Sequence, residues 1–169
     1  MSPTHQHLLR HWREAVPNDR LAHLIRDVAR AQMRALQLRL QAHGVSFGHW
    51  TFLRILWIED GLTQRELSEL AGVMEPTTFS AVKAMEQMGL IERRQLPGNR
   101  KNMHVFLTDA GRALEQRLVP LAEEVNHISV AGLGDKQIAT VRTSLLAMIE
   151  NLAADEAGQA APTDPAEAA

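Results

Sequence analysis

Cysteine is missing from all 169 residues. That excludes disulfides, thiolate zinc sites and thiol redox sensing by this chain. No apolar run approaches the roughly 20 residues that span a bilayer. The N-terminus carries histidines and charges rather than the apolar core of a signal peptide, so a cytoplasmic protein with no membrane contact is expected. An excess of positive charge is lacking too: the formal net charge is -2. Any nucleic-acid binding must therefore come from local asymmetry. The eight histidines invite thoughts of catalysis. Yet there is no Ser-His-Asp order with a nucleophile elbow, no glycine-rich phosphate loop and no HExxH. The expectation is not an enzyme, and no cofactor is implied. His7 and His11 stand at i, i+4, a spacing able to hold a metal, but no third ligand is evident, so no metal site is assigned.

What is present is a chain with 45% hydrophobic residues, enough for a packed core. Its organising stretch runs from Leu62 to Leu107 and reads as helix, turn, helix and two strands joined by a basic loop. Thr63 and Glu66 form a T-x-x-E capping box, with Leu62 and Leu67 placed for a hydrophobic staple. Leu67, Leu70 and Ala71 share a helical face, and Gly72 is a C-terminal stop. A second helix begins near Glu75 or Pro76, since proline is tolerated at the first helical position. Phe79, Val82 and Met85 are expected to pack on the first helix. The opposite face carries Thr77, Ser80, Ala81, Lys83 and Ala84. A face so small and polar suits close approach to a major groove; it is equally what a merely solvated face looks like.

The segment that follows favours the groove. Gly89 ends the second helix, and Leu90 to Arg94 lead into a strand. Leu96-Pro97-Gly98-Asn99 is a turn signal, with Arg100 and Lys101 at its tip. Met103, Val105 and Leu107 alternate with His104 and Phe106 as a half-buried strand should. From Arg93 to Lys101 there are four basic residues and no acid. Arginine at a hairpin tip suits a narrow, negative minor groove; the alternative is a solvated loop.

With its P-G-N-R-K turn and its closing FLTDAGRAL, this stretch resembles the MarR (multiple antibiotic resistance regulator) family of bacterial transcription factors. The resemblance runs from about Leu21 to Leu152 and is strongest from Val45 to Leu118. It departs from the family in the wing, where Asn99 and Lys101 replace the usual Asp-x-Arg, and at Ser80, where many members carry arginine.

Around this stretch lie apolar helices. Residues 4–15 look like a short helix, and a longer one runs from about Arg20 to Ala42, through Leu21, Leu24, Ile25, Val28, Met33, Leu36 and Leu40. Ser46 caps a helix from Phe47 to about Glu59 that is apolar on more than one face and so is expected between two layers. Thr108 caps a helix to about Val130, in which Pro120 is expected to kink or break the hydrogen bonding. Asp135 opens a last helix through Leu152, and from Ala153 the composition reads as a disordered acidic tail. The outer helices exceed the packing needs of a winged helix. The resemblance implies that they interlock in a homodimer; the alternative is a monomeric bundle appended to the module.

The sequence thus predicts a mainly α (α+β) fold, a winged helix-turn-helix with N- and C-terminal dimerisation helices. Its parts are an N-terminal arm (1–17), dimerisation helices (18–45 and 109–153), the DNA-binding domain (46–108) and an acidic tail (154–169). The expected DNA contacts are Gln64 and Arg65 to phosphates, Pro76, Thr77, Thr78, Ser80 and Lys83 in the second helix, and Arg94, Arg100 and Lys101 in the wing. The resemblance further implies a small aromatic or N-heterocyclic carboxylic acid that releases a repressor from a pseudo-palindromic operator. Its candidate pocket joins His49 and Trp50 to Arg20, His23 and Arg26, with His11 and Trp12 from the arm; alternatively His49 and Trp50 are only core. A winged helix used for protein contacts, or a repressor without a ligand, remain the rival functions.

Overall fold

A computed structural model describes residues 21–97 and 99–160, without the side chains at 99–101 and 160. The arm with His7, His11 and Trp12, then Arg20, and residues 161–169 lie outside the described residues. One compact unit ends at Ser129 and a second begins at Val130. The first holds α1 (Leu21–Gln41), α2 (Phe47–Ile58), β1 (Leu62–Thr63), α3 (Gln64–Ala71), α4 (Glu75–Gln87), β2 (Ile91–Leu96), β3 (Asn99–Leu107) and α5 (Asp109–Ser129); the second holds α6 (Asp135–Ala160). The three strands form an antiparallel sheet in the order β1-β3-β2. The mainly helical winged-helix class expected from the sequence is the class observed.

α2 is the centre of the first unit. Ser46 caps it by accepting a hydrogen bond from the His49 amide. Four of its twelve residues, Trp50, Phe52, Leu53 and Leu56, are buried. They face α1 and α5 on one side and the winged helix on the other, so an all-round apolar pattern does mark a helix between layers. Each such side chain contributes about 1.5–3 kcal/mol on burial. α1 is tied in through its C-terminal half, by Leu36 and Leu40 and by Gln37, whose side-chain oxygen accepts from the Phe47 amide at 2.6 Å. Arg39 makes a two-pronged pair with Glu124 of α5, at 3.1 and 2.9 Å. Towards the other end of α1, Leu21, Leu24, Ile25 and Val28 stay 37–50% exposed.

The sheet contains a strand that the sequence reading lacked. Leu62 and Thr63 pair with Val105 and His104. Leu62 is therefore held by a ladder rather than by a staple alone. β2 and β3 form the wing, with a register irregularity at Gln95/Leu96. Val105 and Leu107 are buried as expected, but Met103 is 38% exposed, being further out along the hairpin. α5 runs through Pro120 as one helix, so the effect of the proline is confined to the one hydrogen bond that its missing amide cannot make. Pro120 sits on the exposed face, where the freed carbonyl can turn to water.

In the second unit, α6 continues to Ala160, seven residues beyond the point at which composition placed a disordered tail. The extension is rich in alanine, the best helix former, and Gln159 bonds Asp155 one turn back. Val141, Leu145, Ile149 and Leu152 form an apolar stripe on α6 that is 39–70% exposed.

Candidate nucleic-acid interface and effector cavity

The helix-turn-helix is built from α3 and α4. The full capping box is present at Thr63 and Glu66. The two hydrogen bonds from Thr63 hold the Glu66 carboxyl below the usual glutamate range. Gly72 ends α3 in the left-handed region, at φ 63°, where a side chain would be strained. Ser68, which sequence reasoning missed, locks the turn: its buried hydroxyl donates to the Val73 carbonyl at 2.6 Å. A serine five residues before the last residue of a short apolar turn was the available signal.

α4 carries Pro near its first position, as expected. Its rotation corrects two readings. Thr78, assigned to DNA, is fully buried with Val82 and Met85, and its hydroxyl has no hydrogen-bond partner. It cannot reach a base edge. Phe79, assigned to the core, is 51% exposed. The buried stripe is 78, 82 and 85, at helical spacing, which turns residue 79 outward. Pro76, Thr77, Ser80 and Lys83 are exposed. The Ser80 hydroxyl donates to the Pro76 carbonyl at 3.0 Å, so towards a ligand it offers an acceptor.

The other candidates are placed unequally. Arg65 is exposed but paired with Glu69 at 2.9 Å; such a surface pair is weak and gives way to a phosphate. Gln64 is half-buried and its amide nitrogen is enclosed without a partner, so its side chain is not simply presented to solvent. Arg94 lies over the Phe106 ring at 3.8 Å and near Glu92 at 3.4 Å. Arg93 is committed to Glu86 of α4. Two of the four wing cations counted from the sequence thus have internal partners. The wing-tip side chains of Arg100 and Lys101 lie outside the description.

Asp60 joins the module to the rest of the unit. One carboxylate oxygen accepts from the amides of Gly61 and Leu107, and the other accepts from Arg112 of α5 at 2.7 Å. His104 accompanies it, its Nδ1 2.7 Å from the Gly61 carbonyl.

A cavity of about 460 Å³ opens between α1, α2 and α5. Its walls include Gln32 and Met33 from α1, Phe47, Trp50 and Arg54 from α2, and Glu123 from α5. Of the residues proposed for a ligand, Trp50 lines it; His49, His23 and Arg26 do not. Phe47, Trp50 and Arg54 lie at i, i+3 and i+7, one face of α2, and His49 falls off that face. Burial also lowers the His49 pKa, and its Nδ1 is enclosed without a partner. A neutral imidazole is no counterion for a carboxylate. His23 and Arg26 are exposed and lie on α1 before its first lining residue, Ala29. Arg54 was missed, although its place one helical turn after Trp50 was readable. Among the described residues no three His, Asp or Glu side chains gather as a metal site, and no helix is long and apolar enough to cross a membrane.

Comparison with known proteins gives these features a context. The family model for the MarR family matches residues 45–103. The transcriptional regulator TtmR of Methylorubrum extorquens is 24% identical over 136 residues, 80% of this chain and 65% of TtmR. The chain thus spans just under two thirds of that relative. Among solved structures, a MarR transcriptional regulator from Methanosarcina mazei superposes with a TM-score of 0.73 at 25% identity, covering 85% of this chain and 96% of that one. BpsR of Bordetella bronchiseptica, whose DNA binding is regulated by 6-hydroxynicotinic acid, superposes with a TM-score of 0.70 at 19% identity, covering 77% and 98%.

Proposed function

We propose, for a chain that belongs to the MarR family of DNA-binding transcriptional regulators, that it is a homodimeric repressor released from its operator by a small aromatic or N-heterocyclic carboxylic acid. The observation that carries the effector is the cavity, in which Trp50, Phe47 and Arg54 share one wall. Aromatic walls stack on a flat ring, and a guanidinium takes a carboxylate with two parallel hydrogen bonds. BpsR, similar in fold, responds to an acid of this class.

The coupling follows from chain order. α2 forms one wall of the cavity, and its C-terminal end leads through Asp60 to the wing and to α5. A ligand that shifts α2 therefore moves the helix-turn-helix. It induces only if it binds the DNA-incompetent arrangement more tightly, since equal affinity for both shifts nothing. The homodimer is supported by the exposed apolar stripes of α1 and α6, each of which needs a partner surface. Two recognition helices about one DNA turn apart then read a pseudo-palindrome. Thr77, Ser80, Lys83 and Pro76 of α4 face the major groove, Arg65 and the backbone N–H of Gln64 at the start of α3 meet phosphates, and Arg94, Arg100 and Lys101 serve the wing.

The test is release of a protein–operator complex by a panel of benzoates, cinnamates and nicotinates, followed by fluorescence anisotropy, for wild type and Arg54→Gln. Release by one acid in wild type, at a concentration at least tenfold lower than for the variant, supports the site. Equal release from both removes Arg54 from it. No release by any acid leaves a repressor without this class of effector.

A further inference from the structure

We infer that Phe79 is a specificity-determining residue, reading the 5-methyl group of a thymine in the major groove; this rests on the family's DNA-binding role. Four phenylalanines occur in the chain. Phe52 is in the core, and Phe47 and Phe106 are half-buried against it or against the wing, whereas Phe79 leaves half of its surface in water. The exposure is not a fraying end, because Thr78 and Val82 on either side of it are fully buried and hold that turn of the helix in place.

Its position matches the task. Phe79 lies in the N-terminal half of α4, the part of a recognition helix that meets base edges. At about 100° per residue it projects about 40° from Lys83 around the helix axis, on the flank of the exposed face. Pro76 and Ser80, both exposed, complete the surroundings. A ring there has no hydrogen bond to offer. The base feature it can recognise is the one apolar group in the major groove, the thymine methyl. The neighbours supply the rest: Lys83 neutralises a phosphate or meets a purine acceptor, and the Ser80 hydroxyl, its proton held by the Pro76 carbonyl, accepts from an exocyclic amine. Docking thus removes Phe79 from water only where a methyl is present to fill the contact.

The experiment uses an operator selected by the full-length protein from random duplexes. Each thymine is then replaced, symmetrically in both half-sites, by deoxyuridine, which differs only by the missing methyl. For wild type, one symmetric thymine pair should show a loss of affinity of roughly fivefold to tenfold. Phe79→Ala should bind the two duplexes equally, and Phe79→Leu should keep part of the difference. Circular dichroism and an unchanged melting temperature report that the variants are folded; if Phe79→Ala is not, Phe79→Leu carries the test through its reduced discrimination. A wild-type protein that senses no thymine methyl, or a Phe79→Ala protein with the same penalty as wild type, overturns the assignment. Absence of salt-dependent DNA binding by wild type would instead overturn the regulator reading, and the role of Phe79 with it.

Discussion

Arg93 of the wing donates two hydrogen bonds to a single carboxylate oxygen of Glu86 on the recognition helix, at 2.6 and 3.1 Å. The pair ties β2 to α4, so the second helix of the helix-turn-helix and the wing move as one body. Arg93→Ala should cost little stability, about 0.5–1 kcal/mol for a half-exposed pair. Its effect on operator affinity should be larger, because two DNA-contacting parts lose their mutual alignment. Denaturant unfolding and operator titration on the same variant compare the two; equal losses in both would mean that the pair only stabilises.

Acid should unfold the protein in two phases. Hydrogen bonds from Arg93, Thr63 and Arg39 hold Glu86, Glu66 and Glu124 below the ordinary glutamate range. A depressed carboxylate contributes stability that is complete above its unfolded pKa, about 4.3, and is lost as pH falls through the lowered folded value. His49 acts earlier. Its folded pKa is lowered by burial, so the unfolded chain takes up its proton first and stability falls once pH drops below about 6.5. Melting temperature against pH should be level above 7, decline gently to about 5 and steeply below about 4.5. His49→Gln should flatten the first phase and Glu86→Gln reduce the second.

Gly111 has no room for a side chain. A Cβ there would overlap the Leu90 carbonyl oxygen, a backbone atom that cannot rotate away. Its own carbonyl accepts from the Trp57 indole at 3.0 Å. Gly111→Ala should destabilise by about 1–3 kcal/mol or more and shift Trp57 fluorescence, as read in a urea titration. A neutral outcome would mean that α5 and the β2 entrance can separate without cost.

Thr78 and Thr77 should behave in opposite ways. The Thr78 hydroxyl is buried without a partner, so Thr78→Val should be neutral or stabilising by up to about 1 kcal/mol, with operator affinity unchanged. Thr77 is exposed on the same helix, and Thr77→Ala should relax the preference at one base pair at about 1 kcal/mol without changing the melting temperature. Loss of binding by Thr78→Val would return Thr78 to the interface.

Dimerisation should depend on the apolar stripe of α6. Light scattering on the full chain should give twice the chain mass at micromolar concentration. Leu145→Asp, at a position 39% exposed in the single chain, should give the monomer mass and weaken operator binding at least tenfold, since each half-site then binds alone. A wild-type monomer with full operator affinity would rule out the two-half-site arrangement.

The chain's sequence by itself determined what depends on near neighbours. The Thr63–Glu66 capping box, the glycine stop at Gly72 and the Ser46 and Thr108 caps each arise from groups a few residues apart, whose hydrogen bonds are local. The order of helices and wing follows from those marks. Only the tertiary structure decided how each element is turned and which charges remain free. Thr78 and Phe79 are adjacent, and an amphipathic count that includes either is nearly as good; the packing of Val82 and Met85 under α3 and α2 selects the threonine. The two-residue strand at Leu62 has no periodicity to read and exists because Val105 is there to pair with it. Arg93 counts as one of four cations of a basic wing until Glu86, seven residues away, proves to pair with it. The cavity likewise draws on three helices spread over nearly 100 residues (Ala29 to Asn126). Such features are settled by long-range competition for buried volume and for opposite charge, which no local window of sequence contains.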